Sequence, residues 1–288
     1  MKFKGGTSLS KGYGLIERFS EDIDIVLSGV ALNYPADYQS EDRSSREIEQ
    51  FKKEIKAKNI DFLNQLKEEI EDKFCKEFAK GSIVKVNEES ESIEFRYPAA
   101  CATTKGILPF VKLEIGPLAE WDPSEIKTIT PYVAEIREDL FMQKSTNVMT
   151  IEAKRTFWEK ITILHKEANR EDAKKASPRQ SRHYYDIYRM AHTDVKKLAF
   201  QDVDLLIKDV DFVTKFYKQG WAKFDEIKQG KVKLIPNNEC LEFMKKDYEA
   251  MKEMFFEEHP TFDEIIEYLH FTYFVITFKK SDKFSKSC

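Results

Sequence analysis

The 288-residue chain is predicted to be an α+β protein, with a small mixed β-sheet flanked by helices in its first half and a helical second half. Stretches with apolar residues at every second position, which are typical of strands, occur before residue 151. One long charged segment in that half, and almost everything after residue 151, has apolar residues at helical spacing instead. We therefore expect two domains, residues 1–151 and residues 152–288.

The first predicted strand, residues 2–4, runs into a paired-glycine turn. Gly5 and Gly6 allow a tight turn, and they let a ligand approach a backbone that carries no Cβ atom. Thr7 and Ser8 open a short helix, where their hydroxyls would lie beside unpaired backbone N–H groups that can bind phosphate. The turn is a candidate phosphate site, and the alternative is a capped helix after an ordinary turn.

A second strand, residues 22–27, carries two acidic side chains. Apolar and acidic residues alternate, so Asp22 and Asp24 lie on one face. Adjacent carboxylates repel each other unless a cation lies between them, which favours Mg²⁺ held for phosphoryl chemistry. Two further Asp-x-Asp triplets, residues 202–204 and 209–211, follow no glycine turn and lie in predicted helices, where positions i and i+2 do not share a face. We expect both triplets to be surface charge.

The remaining elements follow from the same periodicities. A long charged helix with one apolar stripe is predicted over residues 46–80. Strands are predicted at residues 83–86, 93–97, 110–115 and 131–136. Helices of the second half are predicted at about residues 155–169, 180–191, 193–219, 238–256 and 261–279.

Composition excludes several classes of protein. The net charge is −4, so the chain is not a polycation that coats nucleic acid. No segment approaches the ~20 apolar residues of a membrane span, and the N-terminus lacks the pattern of a signal peptide. The four cysteines are scattered without metal-ligand spacing, which is typical of free thiols in a reducing cytosol. We therefore expect a cytoplasmic protein without a membrane partner.

Two stretches near the N-terminus resemble a known signature. Residues 5–11, Gly-Gly-Thr-Ser-Leu-Ser-Lys, and residues 18–24, Arg-Phe-Ser-Glu-Asp-Ile-Asp, are similar to motifs of the AbiEii/AbiGii-type toxin nucleotidyltransferases. These belong to the DNA polymerase β-like nucleotidyltransferase superfamily. Residues 157–162 and 182–188 extend the resemblance to about residue 190, beyond which it fades. The resemblance implies a nucleotidyltransferase core in the first domain and an NTP-dependent enzyme.

The resemblance also implies roles for individual residues. Asp22 and Asp24 would bind Mg²⁺, or Mn²⁺, for attack on the α-phosphate of an NTP. The superfamily needs a third carboxylate on a neighbouring strand, and Glu114 is the best-placed candidate, although the family more often has Asp there. Glu114 could instead form an exposed pair with Lys112 on an edge strand. Gly5, Gly6, Thr7 and Ser8 would contact the nucleotide, the last three at its β- and γ-phosphates.

The second domain would supply further nucleotide contacts. Lys160 would act as a point charge on the triphosphate, Arg182 would add a forked contact, and Asp186 would orient one of them. Arg182 and Asp186 are four residues apart on a predicted helix, so a plain surface salt bridge is the alternative. The sequence departs from the family at His183, which follows Arg182 where the family has Asp, and its role is unassigned.

The family also carries helical residues ahead of the first strand, whereas here the motif begins almost at residue 1. Either the chain starts short or an N-terminal segment is missing.

The acceptor is less closely specified. Some toxins of the family use tRNA, and residues 154–189 contain ten Lys/Arg against five Asp/Glu, which favours an RNA acceptor at a tRNA 3′ end. A cognate antitoxin is a possible partner. The alternatives are transfer to a protein or small molecule, or a catalytically inactive binding module with the same fold.

Overall fold

The chain forms two compact units. The computed structural model describes residues 1–75, 81–98, 108–119, 122–173 and 176–270. Unit 1 comprises Met1–Gly14 and Phe19–Glu152, and unit 2 comprises Leu15–Arg18 and Ala153–Cys288. Four residues near the N-terminus thus group with the helical unit, inside the sequence expected for the first domain.

Unit 1 is built on a mixed sheet, as predicted. The described strands form a seven-stranded sheet in the order β3-β4-β5-β2-β1-β7-β6. Strand β2 runs parallel to β5 and β1 runs parallel to β7, whereas the other neighbours are antiparallel. The strands are β1 Lys2–Lys4, β2 Asp22–Val26, β3 Ile83–Asn87, β4 Ser92–Arg96, β5 Val111–Gly116, β6 Ser124–Ile129 and β7 Thr146–Ile151.

The strand predictions are confirmed through β5 and are wrong after it. Residues 131–136 were expected as a strand, but Tyr132–Ile136 forms a short helix, α3. The N–H groups of Ala134 and Glu135 both donate to the Pro131 carbonyl, at 2.9 and 3.2 Å, so the segment satisfies its backbone locally. Strands β6 and β7 were not predicted.

The long helix of unit 1, α2, spans Ser45–Ile70 after a short first helix, α1, at Gly5–Thr7. A capping box fixes its start, because the Ser44 hydroxyl accepts from the Glu47 N–H while the Glu47 carboxylate accepts from the Ser44 N–H. Its buried residues recur every fourth position: Phe51, Ile55, Asn59 and Leu63. The helix continues to Cys75 as a π-helix, and residues 76–80 of the predicted helix lie outside the described residues.

Unit 2 is helical, as predicted. Its described helices are α4 Ala153–Ala168, α5 Arg182–Ala191, α6 Asp194–Gln201, α7 Asp204–Phe216, α8 Phe224–Lys228, α9 Asn238–Ala250 and a last one at residues 262–270. The single helix expected over 193–219 is two helices, because α6 ends at Asp202, whose N–H donates to the Ala199 carbonyl. No helix within the described ranges is long and apolar enough to cross a membrane.

One acidic residue taken as surface charge is buried. Asp209 is 3% exposed and lies on the inner side of α7 with Leu205 and Leu206. Its Oδ1 accepts from Nη2 of Arg155 at 3.0 Å, and Arg155, itself fully buried, also donates to the Leu205 carbonyl at 2.9 Å. The surface interpretation is therefore wrong for Asp209. It holds for Asp211, which is exposed and pairs with Lys228.

Asp209 and Asp211 should therefore contribute unequally to the free energy of unfolding, although they belong to one Asp-x-Asp triplet. Asp209→Ala removes the carboxylate that lies 3.0 Å from Nη2 of the buried Arg155, whose contact with Glu159 is longer, at 3.6 Å. We expect the free energy of unfolding to fall by about 3 kcal/mol. Asp211→Ala removes only an exposed ion pair and should cost less than about 1 kcal/mol. Urea denaturation of both variants measures the difference. Equal destabilisation would contradict a stabilising role for the buried pair.

Candidate active site

The turn after β1 needs glycine because a carboxylate lies against it. Gly5 has a φ of +73°, and a Cβ atom at this position would lie 1.9 Å from Oδ2 of Asp24. Lys4 and Asp24 are partners in the antiparallel pairing of β1 with β2, which brings the turn and the acidic strand together. Because glycine has no Cβ atom, the Asp24 carboxylate can occupy the space beside Gly5.

The hydroxyls that follow the turn bind backbone groups of unit 1. Oγ1 of Thr7 donates to the Asp22 carbonyl at 2.5 Å, which ties the turn to the acidic strand. Ser8 is fully buried, and its hydroxyl donates to the Gly5 carbonyl at 2.9 Å. Gly6, by contrast, is partly exposed. The hydroxyls therefore hold the shape of the turn, and the expected phosphate contacts of Gly6, Thr7 and Ser8 stay a prediction.

The three expected carboxylates lie on one face of two neighbouring strands. In the parallel pairing of β2 with β5, Asp24 is opposite Glu114 and Asp22 is opposite Lys112. Residues opposite each other share a face, as do positions i and i+2 of a strand. Strand β5 lies between β4 and β2, so Glu114 is on a central strand and not on an edge strand.

Lys112 is part of this acidic face. Its ammonium contacts Oε1 of Glu114. Burial by itself lowers the pKa of Lys112, but the hydrogen bond and charge of Glu114, with the charges of Asp22 and Asp24, raise the pKa above its ordinary value. The Lys112–Glu114 pair considered from the sequence therefore forms, next to the two aspartates.

The donor set fits a divalent cation. Carboxylate oxygens are the ligands that Mg²⁺ and Mn²⁺ take in proteins, and three carboxylates stand at adjacent positions of β2 and β5. Within the described ranges, no group of three or more His, Cys, Asp or Glu side chains is already arranged to hold a metal ion. The contact with Lys112 gives a physical reason, because it holds the Glu114 carboxylate in an ion pair.

Unit 2 contains a buried ion cluster, formed by Arg18, Lys160, His183 and Asp186. Asp186 is fully buried and accepts two hydrogen bonds from Arg18, from Nε at 2.8 Å and from Nη2 at 2.7 Å. The ammonium of Lys160 is 2.8 Å from Oδ2 of Asp186 and 3.3 Å from Nδ1 of His183. Two of the predicted residues, Lys160 and Asp186, are thus brought into contact, and Arg18 joins them.

Burial and charge act in opposite directions on the pKa values of this cluster. Burial would raise the pKa of Asp186, but the charges of Arg18 and Lys160 hold that pKa far below its usual range. Burial lowers the pKa of Lys160, and the charge of Asp186 opposes this shift. Burial, followed by the charges of Lys160 and Arg182, lowers the pKa of His183 well below its ordinary value, so its imidazole is neutral. The Asp186 carboxylate thus lies between the side chains of Arg18 and Lys160.

Arg18 is the residue that the sequence analysis missed. It was quoted within the motif at residues 18–24 but given no role. Asp186 was expected to orient Lys160 or Arg182, and its direct contacts are with Arg18 and Lys160. Arg182 is partly exposed at the start of α5, and its charge adds to the effect of burial in lowering the pKa of both Lys160 and His183. No local sequence pattern indicates the role of Arg18, because Asp186 is 168 residues away in the chain.

Comparison with known proteins places the chain in a family. Residues 1–268 match the family described as "Nucleotidyl transferase AbiEii toxin, Type IV TA system". The chain belongs to the AbiEii nucleotidyltransferase toxin family. Its members are nucleotidyltransferase toxins of type IV toxin–antitoxin systems, so membership implies an NTP substrate and an antitoxin partner. The suspected resemblance and the enzyme class are thereby confirmed.

Other comparisons add less. A solved structure of MenT4, a nucleotidyltransferase toxin from Mycobacterium tuberculosis, is 15% identical to this AbiEii-family chain, with 80% of this chain and 82% of that chain covered. The TM-score is 0.37, which is too low to support an inference about this chain from that structure. No curated protein matches the chain.

The basic stretch at residues 154–189 is not a continuous surface in this AbiEii-family chain. Arg155 and Lys160 are buried in ion pairs, and Arg189 makes a forked contact with Glu17. Lys174 and Lys175, where we expected RNA phosphates to bind, lie outside the described residues. Of the cysteines, Cys240 is a buried free thiol, and the other three side chains also lie outside the described residues.

A pair of glycines tests the close approach of Asp24. Gly5 and Gly14 both have positive φ, at +73° and +62°, but a Cβ at Gly14 would meet nothing within 4 Å. Alanine at either site costs about 1–2 kcal/mol of backbone strain. Only Gly5→Ala should also displace Asp24, and we expect it to lower nucleotidyl transfer about tenfold or more relative to Gly14→Ala. Labelled-NTP turnover and thermal melting of both variants measure this, and equal turnover would contradict it.

The buried histidines predict acid sensitivity. Burial lowers the pKa of His165, and that of His183 lies well below its ordinary value. Unfolded histidines bind protons from about pH 6.5 downwards while these two stay neutral, so the free energy of unfolding should fall by about 2–3 kcal/mol from pH 7.5 to 5.5. Urea denaturation across this range measures the fall. His183→Asn should reduce the fall, whereas His270→Asn, an exposed control, should not. A flat profile for the unmodified chain would exclude neutral buried imidazoles.

Proposed function

We propose that this AbiEii-family enzyme transfers a nucleoside monophosphate from an NTP to an RNA acceptor, through a divalent cation held by Asp22, Asp24 and Glu114. The observation that carries the proposal is the placement of these three carboxylates at adjacent positions of β2 and β5, with Gly5 against Asp24. Neighbouring carboxylates repel each other, so a face with only a structural role gains nothing from them, whereas a metal-dependent transfer requires them as ligands of the cation.

Within this site, we assign Asp22 and Asp24 to the cation, Mg²⁺ or Mn²⁺. When bound, the cation would offset the charge of the phosphates and of the leaving pyrophosphate. Glu114 completes the donor set and is placed to accept the proton of the acceptor hydroxyl. The turn at Gly5 and Gly6 offers backbone that a phosphate can approach, and Thr7 and Ser8 hold that turn in place.

We assign the buried cluster of unit 2 to the triphosphate. Lys160 and Arg182 are basic side chains on neighbouring helices of unit 2, and a phosphate group is the kind of anion that such side chains bind. Lys160 and Arg182 would supply the charge. Asp186 and Arg18 would act as positioning residues, because the forked contact with Arg18 fixes the carboxylate that Lys160 binds.

For the acceptor, RNA is favoured by an aromatic group on unit 2. The rings of Tyr188 and His192 are 4.3 Å apart, and those of His192 and Tyr268 are 4.4 Å apart, measured between centroids. His192 is exposed, and the ammonium of Lys196 lies 5.5 Å from the centroid of the Tyr268 ring. Rings beside a lysine suit unpaired bases and their phosphates. Protein and small-molecule acceptors lack a comparable feature in the described residues.

One assay tests the transfer and its acceptor. The chain is incubated with each α-labelled NTP, Mg²⁺ and total RNA, with Asp22→Asn, Asp24→Asn and, as a control, Asp211→Asn. The first two should lose transfer by roughly 100-fold or more with stability kept or raised, since like-charge repulsion is relieved. Label should enter RNA of tRNA size. Label on a polypeptide or small molecule would overturn the acceptor, and wild-type turnover in Asp24→Asn would overturn the site. No transfer by the unmodified chain to any acceptor would instead indicate an inactive binding module.

A further inference from the structure

Lys112 stands inside the carboxylate face and has no role in the assignment above. In the pairing of β2 with β5 it is opposite Asp22, and two residues along its own strand it reaches Glu114. Its side chain is 20% exposed and that of Glu114 is 39% exposed, so the lysine is the more buried partner of the pair.

Lys112 links two rows of charged residues that cross the sheet. In the first row, cations and anions alternate: Lys85, Glu94, Lys112 and Asp22. In the second row, two carboxylates are neighbours, because Asp24 lies between Lys4 and Glu114. The contact of Lys112 with Glu114 therefore brings a cation of the first row to the adjacent carboxylates of the second.

We propose that Lys112 is an internal counter-cation that holds Glu114 when no metal is bound and that releases it when a divalent cation binds. This inference rests on the proposed function, because it takes the three carboxylates as the metal site. The ammonium and the metal ion compete for the same carboxylate and repel each other, so Lys112 weakens metal binding and sets the metal concentration at which the third carboxylate joins the site.

The effect is not a titration. The ammonium of Lys112 contacts Oε1 of Glu114 on its own strand, and Asp22 is opposite Lys112 on β2. Lys112 is therefore a positioning residue that acts through the location of its charge. Metal binding, and not proton loss, moves it.

The chain offers a matched control on another strand. On β6, the ammonium of Lys127 lies 3.2 Å from Oε1 of Glu125, so this pair has the same i, i+2 spacing as Lys112 and Glu114. Strand β6 is at the edge of the sheet, four strands away from β5 in the strand order. Lys127→Met thus removes the same charge and the same kind of contact without touching the carboxylate face.

Binding of Mn²⁺ to the full chain tests the proposal. It is followed by the electron paramagnetic resonance of free Mn²⁺, with no NTP present, so the readout does not depend on turnover. Lys112→Met should bind Mn²⁺ about tenfold or more tightly than the unmodified chain, because a competing cation is gone. Lys112→Arg and Lys127→Met should stay within about threefold of it, and Asp24→Asn should lose the tight site.

The outcomes distinguish a failure of the carboxylate metal site from a failure of the role proposed for Lys112. If Asp24→Asn binds Mn²⁺ as well as the unmodified chain, the carboxylate site and the proposed function fail together. If Asp24→Asn loses binding but Lys112→Met binds equally or more weakly, only the role of Lys112 is overturned, and Lys112 is a stabilising cation of the sheet.

A second measurement covers the case that Lys112→Met does not fold. In the unmodified chain labelled with ¹⁵N-lysine, the Nζ resonance of Lys112, identified by its loss in Lys112→Arg, should shift on addition of Mg²⁺. The Nζ resonance of Lys127, identified by its loss in Lys127→Arg, should not. An unmoved Lys112 signal at saturating Mg²⁺ would overturn the release of Glu114.

Discussion

Repulsion between carboxylates on one face of the sheet is the constraint on which unit 1 depends. The parallel pairing of β2 with β5 leaves no freedom to separate Asp24 from Glu114, because residues opposite each other in a sheet share a face. The fold manages this charge locally. Gly5 gives the Asp24 carboxylate space, the Thr7 hydroxyl fixes the turn to Asp22, and Lys112 neutralises part of the charge. These contacts accommodate the carboxylates on one face of the sheet.

The buried cluster of unit 2 is stabilised by ion pairs. Arg18 and Lys160 converge on one carboxylate in an interior of low polarity, where the loss of either partner would leave a buried charge without compensation. The very low pKa of Asp186 is the same fact seen from the carboxylate. In unit 2 a single carboxylate thus has two basic neighbours, whereas in unit 1 several carboxylates share one face.

The sequence predicted those features that depend on local pattern and missed those that depend on distant partners. Strands β1 to β5 carry alternation or a turn signal and were found. Strand β6 lies at the sheet edge with both faces largely exposed, so its sequence shows no such period. Asp209 and Arg18 look like ordinary surface charges until their partners are known, and those partners are 54 and 168 residues away in the chain.

The position of Arg18 explains why the N-terminal motif is so compact. Its backbone forms a bridge to Phe255, and the neighbouring Glu17 accepts from the Phe256 N–H at 3.1 Å, so this segment belongs to unit 2. Unit 1 resumes at Phe19, and only Phe19, Ser20 and Glu21 separate Arg18 from Asp22 and its acidic strand. Glu21 is itself held within unit 1, since its carboxylate accepts from the Leu108 N–H at 2.7 Å. One continuous stretch of seven residues, from Arg18 to Asp24, thus supplies a buried cation to one unit and two carboxylates to the other. The motif is compact because the chain passes from unit 2 to unit 1 within it, so that neighbouring residues serve different units.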